Sequence, residues 1–165
     1  MAGRDDIICE IPRLRRYARA LTGDATRADD LVQDTIERAL ARFALWRPGK
    51  LRAWLLSIMH NLFINQVRSP TLVVYPGEEA MPEQGVRAAQ ADGLEVRDLV
   101  RALQGLAAEQ REVLLLVALE ELSYAEAARV LGVPQGTVMS RLSRARTRLR
   151  ALLGAGAGAR LEVVR

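Results

Sequence analysis

Apolar residues recur every three or four positions along most of the chain, which is the period of helices that bury one face. Ile7, Ile8, Ile11, Leu14, Tyr17, Ala18 and Leu21 mark the first such stripe, and Gly23 is placed to end it. Pro12 interrupts that stripe and is expected to kink the helix or shift its start. Asp24 or Thr26 then caps a second helix, whose set Ala28, Leu31, Val32, Thr35, Ile36, Ala39, Leu40 and Phe43 is the most regular in the chain. Leu51, Trp54, Leu55, Ile58 and Leu62 open a third. Val96 to Leu106 and Val113 to Leu119 give two more. The run VLLLVAL is apolar all round, and seven residues make a buried helix of a small bundle, not a membrane span.

The stretch from Leu122 to Leu149 predicts a helix, a tight turn and a second helix. Ser123 precedes Glu126 by three residues, the spacing at which a hydroxyl caps a helix while the acid reaches back to the cap's amide. Gly132 supplies the turn, and Pro134 suits the first turn of the next helix because its missing N–H loses no bond there. Along that helix Val138, Leu142, Ala145, Leu149 and Leu152 share a face. Arg141, Arg144, Arg146, Arg148 and Arg150 follow one another with no acid among them, as a polyanion partner requires. Gly136, Thr137, Ser140, Ser143 and Arg144 fall opposite the apolar face, on the N-terminal half that meets base edges in a major groove.

Charge divides the chain. Residues 1–68 hold 12 basic and 8 acidic side chains, residues 69–94 hold 1 and 4, and residues 95–165 hold 11 and 8. The acidic middle contains three prolines and three glycines and no sustained helical period. The expected fold is therefore all-α: a helical domain over 1–68, a flexible acidic linker over 69–94, and a helix-turn-helix domain over 95–153. The Gly- and Ala-rich tail, 154–165, is expected to be unstructured. Net charge is +4 and pI near 10, carried by arginine, since Lys50 is the only lysine; phosphate is the implied partner class. No signal sequence or membrane span is evident, so a cytoplasmic protein without membrane insertion is expected. Cys9 stands alone, which rules out an intramolecular disulfide, and is expected to be buried in the first helix.

Two surfaces of the first domain carry chemistry. Asp29, Asp30, Gln33, Asp34 and Glu37 line the outer face of the second helix, either as a solvated face or as a dock for a basic partner. Trp46, Arg47, Pro48, Gly49 and Lys50 make a short loop in which an aromatic and cations together suit unpaired bases and their phosphates. Spacing places Trp54 in the core, whereas Trp46 fits either role. His60 has no second histidine to pair with. No phosphate-binding glycine loop, nucleophile elbow or HExxH motif is present, so no active site, metal or cofactor is expected.

The segments YARALTGDATRADDLVQDTIERAL, RPGKLRAWLLSIMHNL and LSYAEAARVLGVPQGTVMSRLSRARTRLR together resemble the extracytoplasmic-function sigma factors of bacteria, with regions two and four in order across nearly the whole chain. The resemblance implies a non-enzymatic subunit that gives core RNA polymerase its promoter specificity. It implies that Asp29, Asp30, Gln33 and Asp34 dock on the clamp helices of the largest polymerase subunit. Trp46, Arg47, Lys50 and Asn61 would hold the melted minus-ten strand. Gln135, Gly136, Thr137, Ser140, Arg141, Ser143, Arg144 and Arg148 would read the minus-thirty-five element. Met139 departs from the family pattern, in which a basic residue usually follows the GTV, so one contact fewer is implied. An anti-sigma factor is the implied regulatory partner, and association with the nucleoid is implied when the protein is active. The alternative is a helix-turn-helix regulator that binds duplex operators without polymerase, which leaves the acidic helix and the loop at Trp46 without a role.

Overall fold

The computed structural model describes residues 3–69 and 90–162, with side chains described over 3–69 and 95–155. Its elements are all helical. Helices α1 (Arg4–Thr22), α2 (Ala25–Ala41) and α3 (Leu51–Arg68) form a first module, with a single 3-10 turn at Phe43–Leu45. Helices α4 (Gln90–Gln104), α5 (Ala108–Ala118), α6 (Tyr124–Leu131) and α7 (Gln135–Glu162) form a second. Residues 70–89, most of the expected linker, lie outside the described residues.

Helix ends follow the local chemistry. Gly23 closes α1 in the left-handed region at φ 71°, its amide donating to the Arg19 carbonyl. Asp24, not Thr26, caps α2 by accepting from the Arg27 amide at 2.8 Å. Pro12 does not move the start of α1, which is helical on both sides of it. Cys9 is exposed, contrary to expectation: it sits about 200° round the helix from Ile7, and the Ile7 side takes the core. Ile8, one position on from Ile7, is likewise exposed.

Two expected boundaries shift. Helix α4 starts at Gln90 and carries Gly93 inside it, so the last five linker residues are helical. One glycine costs about 1 kcal/mol against alanine, too little to end a helix flanked by good formers. Helix α7 likewise continues to Glu162 through the segment expected to be unstructured. Extending an existing helix needs no new nucleus, and the alanines between the glycines favour it.

The modules share one core. α2 packs on α1 and α3, and α7 packs on α5, α6 and α4; α1 also packs on α4 and α5, and α3 on α6. Tyr17, Leu14 and Leu21 of α1 belong to the same buried cluster as Val113, Leu116 and Leu142 of the second module. Polar groups cross the junction as well. Arg111 of α5 donates to the Leu103 carbonyl at 2.8 Å, Leu106 at 3.0 Å and Gln104 at 3.3 Å, and across the junction to Leu21 at 2.7 Å. It thus places one cation on the carbonyl ends of both α4 and α1, where the helix dipole favours positive charge. Gln104 donates to the Ala20 carbonyl at 3.2 Å, seated over the bare Cα of Gly23, where a β-carbon would stand 2.5 Å from it.

Candidate nucleic-acid and polymerase interfaces

The helix-turn-helix is built as its residues dictate. Ser123 Oγ accepts from the Glu126 amide at 3.2 Å while Glu126 Oε2 accepts from the Ser123 amide at 2.8 Å, closing the capping box. Gly132 turns the chain at φ 64° and gives its amide to the Ala128 carbonyl. Pro134 lies one residue before α7, and its carbonyl accepts from Thr137 and Val138. Val138, Leu142 and Ala145 are buried, so the opposite side of α7 faces out.

On that outer side lie Gln135, Gly136, Ser140, Ser143, Arg144 and Arg148, all exposed, with Thr137 half-buried beside them. Arg141 is turned away, half-buried and 3.5 Å from Glu109 of α5. Among the described residues neither Arg144 nor Arg148 has an ion-pair partner, so both guanidinium groups are available to phosphate or to base edges. Met139 is 53% exposed on the same helix. It borders a shallow groove of about 310 Å³ with Tyr124, Arg146 and Arg150.

In the first module, Asp29, Asp30, Gln33 and Asp34 are all exposed, because Ala28, Leu31, Val32, Thr35 and Ala39 turn the other side of α2 into the core. Asp29 pairs with Arg15 at 3.1 Å, and Gln33 donates to Glu37 at 3.1 Å. Asp30 and Asp34 have no ion pair among the described residues.

The loop between α2 and α3 is an aromatic platform. Trp46 stacks on Phe43 at 5.7 Å with planes 21° apart, and lies 6.3 Å from Trp54. Trp46 and Trp54 are half-buried, whereas Arg47 and Lys50 are exposed. Arg52, just inside α3, fixes that helix to α1 through Glu10, at 2.9 and 3.3 Å; the hydrogen bond to Glu10 raises the Arg52 pKa. Asn61 is exposed on α3 but eleven residues beyond Lys50, about 16 Å along the helix. The structure therefore groups Trp46, Arg47 and Lys50 and leaves Asn61 apart.

Two contacts had no signal in the sequence. The Lys50 ammonium donates to Glu126, the capping acid of α6. With the Ser123 bonds, that contact holds the Glu126 carboxyl down at about 2. Lys50, Trp54, Glu126 and Arg129 border a cleft of about 580 Å³ between the modules. His60 Nδ1 lies 2.5 Å from Glu112 Oε1 of α5, and burial pushes the Glu112 carboxyl above its usual range despite that partner. The partners are 76 and 52 residues apart in sequence, and no local pattern pairs them.

A helix-turn-helix with an exposed arginine face defines a DNA-binding protein, and a helical module with an acidic face and an aromatic-basic loop precedes it. Known families agree. Residues 7–60 match the family model of the sigma2 domain of PhyR, and residues 97–149 match sigma-70 region 4. The sigma factor EcfG of Rhodopseudomonas palustris is 41% identical over 91% of this chain and 84% of its own. SigM of Bacillus subtilis is 31% identical over 86% and 88%. The solved RpoE from Bartonella quintana, in complex with the anti-sigma factor NepR, is 36% identical with a TM-score of 0.75, covering 91% of this chain and 95% of that one. The chain belongs to the extracytoplasmic-function sigma factors of bacterial RNA polymerase, and directs promoter-specific transcription initiation. An operator-binding regulator would account for residues 97–149 and leave the match over 7–60 unexplained.

Proposed function

We propose that the three surfaces divide the work of a sigma factor among them. The exposed acids of α2, Asp29, Asp30 and Asp34 with Gln33, dock on the clamp helices of the largest polymerase subunit. Trp46, Arg47 and Lys50 hold the melted minus-ten strand, with Asn61 touching it further along α3. The outer side of α7, from Gln135 through Ser140 and Arg144 to Arg148, reads and anchors the minus-thirty-five duplex. Arg141 serves this surface through its place beside Glu109, at the edge of the contact. No catalytic step, cofactor or metal belongs to the chain's part in initiation; it works in the cytoplasm, on the nucleoid, where core polymerase is. An anti-sigma factor holds it inactive, as the solved relatives with NepR and with the cytosolic domain of CnrY suggest.

The observation that supports the division most is the pair of exposed acids, Asp30 and Asp34, which have no ion pair among the described residues and stand on a module that is basic overall. Reversing both to arginine sets like charges across the interface, which costs several kcal/mol. The double variant should fail to co-elute with core polymerase while still binding minus-thirty-five duplex. Unchanged co-elution would remove α2 from the polymerase contact.

A further inference from the structure

Met139 is an apolar residue left open to water on a helix face that is otherwise polar. Among the described residues of α7 only Met139, 53% exposed, and Leu153, 38% exposed, are large apolar side chains in that position. Leu153 lies past the arginine run. Met139 stands in the N-terminal half, between Gly136 and Ser143, on the part of the helix that meets base edges. A single exposed methionine elsewhere on a surface needs no explanation. Here it stands among the side chains that face DNA.

Helix geometry sets Met139 about 40° round α7 from Ser143 and about 60° from Gly136. Both neighbours are short, and a helical side chain leans toward the turn before its own, here toward Gly136. Nothing stands within 4 Å of where a β-carbon on Gly136 would be, so the space on that side of the thioether is open. The hydroxyls nearby are turned inward: Ser140 donates to the Thr137 carbonyl and Thr147 to the Ser143 carbonyl, both at 3.1 Å. They present lone pairs to the groove, not hydrogens.

A thioether cannot do what an arginine or a lysine would do there. It has no hydrogen to give to the N7 or O6 of guanine and no charge for a phosphate. What it offers is an apolar, unbranched and polarizable end that adapts to the shape it meets. Of the groups that base pairs display in the major groove, the C5-methyl of thymine is the apolar one. Taking that methyl out of water against Met139 is worth about three- to five-fold in affinity, the effect of burying one carbon of that size.

Resting on the reading of α7 as the minus-thirty-five reader, we propose that Met139 is a specificity-determining residue of that surface: its thioether seats against the C5-methyl group of a thymine in the element. The contact is exchanged and not lost. Where a basic side chain would favour guanine, or any phosphate, Met139 directs the chain to a thymine.

Replacing thymine by uracil tests this, since it removes the methyl and leaves the base pair intact. Holoenzyme assembled from core RNA polymerase and the full chain selects duplexes from a pool randomised over the minus-thirty-five element, and each thymine of the selected element is then replaced in turn by uracil. One replacement should weaken binding about three-fold or more. Met139→Ala should bind the thymine duplex more weakly by a similar factor and no longer distinguish thymine from uracil at that position, so that the two losses do not add. Met139→Leu should keep the distinction. Met139→Arg should lose it and raise the magnitude of the salt slope by about one. Arg144→Ala, which removes a different contact, should leave the thymine-to-uracil ratio unchanged. Met139 is exposed, so none of its variants disturbs the core. A selected element with no uracil-sensitive thymine, or a Met139→Ala variant as sensitive as the parent, would overturn the contact. A holoenzyme that enriches no sequence would count against α7 as the reader, and the methyl contact would fall with it.

Discussion

Replacing Arg111 with alanine should be among the most damaging single changes to this fold. Its guanidinium makes four contacts to main-chain carbonyls, three of them at 3.0 Å or less, and ties the end of α1 to the end of α4. A hydrogen bond to a charged donor contributes about 1.5–3 kcal/mol net, so three good ones set an upper range of about 4.5–9 kcal/mol. Arg111 is only half-buried, and water entering the vacated space would satisfy part of the carbonyls. About 3 kcal/mol is then expected, or a fall of roughly 6–12 °C in Tm for a chain of this size. Burial lowers the Arg111 pKa, but arginine remains charged at any working pH, so the loss should not depend on pH between about 5 and 9. Lysine should restore little, since one ammonium cannot reach carbonyls that diverge around a planar fork. Urea unfolding of the parent, Arg111→Ala and Arg111→Lys measures this directly. A loss under about 0.5 kcal/mol for alanine, or full rescue by lysine, would refute the clamp.

Gly23→Ala should cost more than the roughly 1–2 kcal/mol of a left-handed alanine, because its β-carbon also displaces Gln104 from the Ala20 carbonyl; adding Gln104→Ala should recover the excess, and additive losses would contradict the contact. Glu112→Gln tests the buried acid. A carboxyl raised in the folded state contributes stability below its ordinary value of 4.5 and loses it as pH rises through the folded value. Unfolding midpoints should therefore favour the glutamine variant increasingly between about pH 4 and pH 7, and the opposite trend would show that His60 more than offsets burial. On the duplex reader, Arg144→Ala should cost about 1–3 kcal/mol on the preferred minus-thirty-five sequence and much less on scrambled DNA. Arg148→Ala should weaken both alike and reduce the salt slope by about one. Salt titrations with the full chain separate them, and exchanged behaviour would mean that α7 is rotated or slid by a turn in the groove.

The helices and their caps were legible because each is fixed by residues close in sequence. Ser123 and Glu126 are three apart, Gly23 and Gly132 sit at left-handed ends, and Val138, Leu142 and Ala145 hold one face. The acidic face of α2 and the outer face of α7 followed from the same periodicity. Cys9 faces out because Ile7, Leu14 and Leu21 take the other side of α1 into the core, and the apolar character of one cysteine does not reveal which side that is. The ends of α4 and α7 were not legible because glycine content marks a break only where nothing else extends the helix, and a growing helix loses little at each glycine. The junction was not legible at all. Lys50 and Glu126 are 76 residues apart, and His60 and Glu112 are 52 apart, so no local pattern pairs them. Charge bookkeeping by segment even pointed the other way, to two basic modules with no reason to meet.

This chain makes core polymerase start at chosen promoters. Core RNA polymerase freed of other sigma subunits, mixed with the purified full chain and a genomic promoter library, should yield run-off transcripts with defined starts that vanish when the chain is left out. Asp30→Arg/Asp34→Arg should abolish them. Duplex binding with neither co-elution nor any chain-dependent transcript would contradict the assignment and leave an operator-binding regulator in its place.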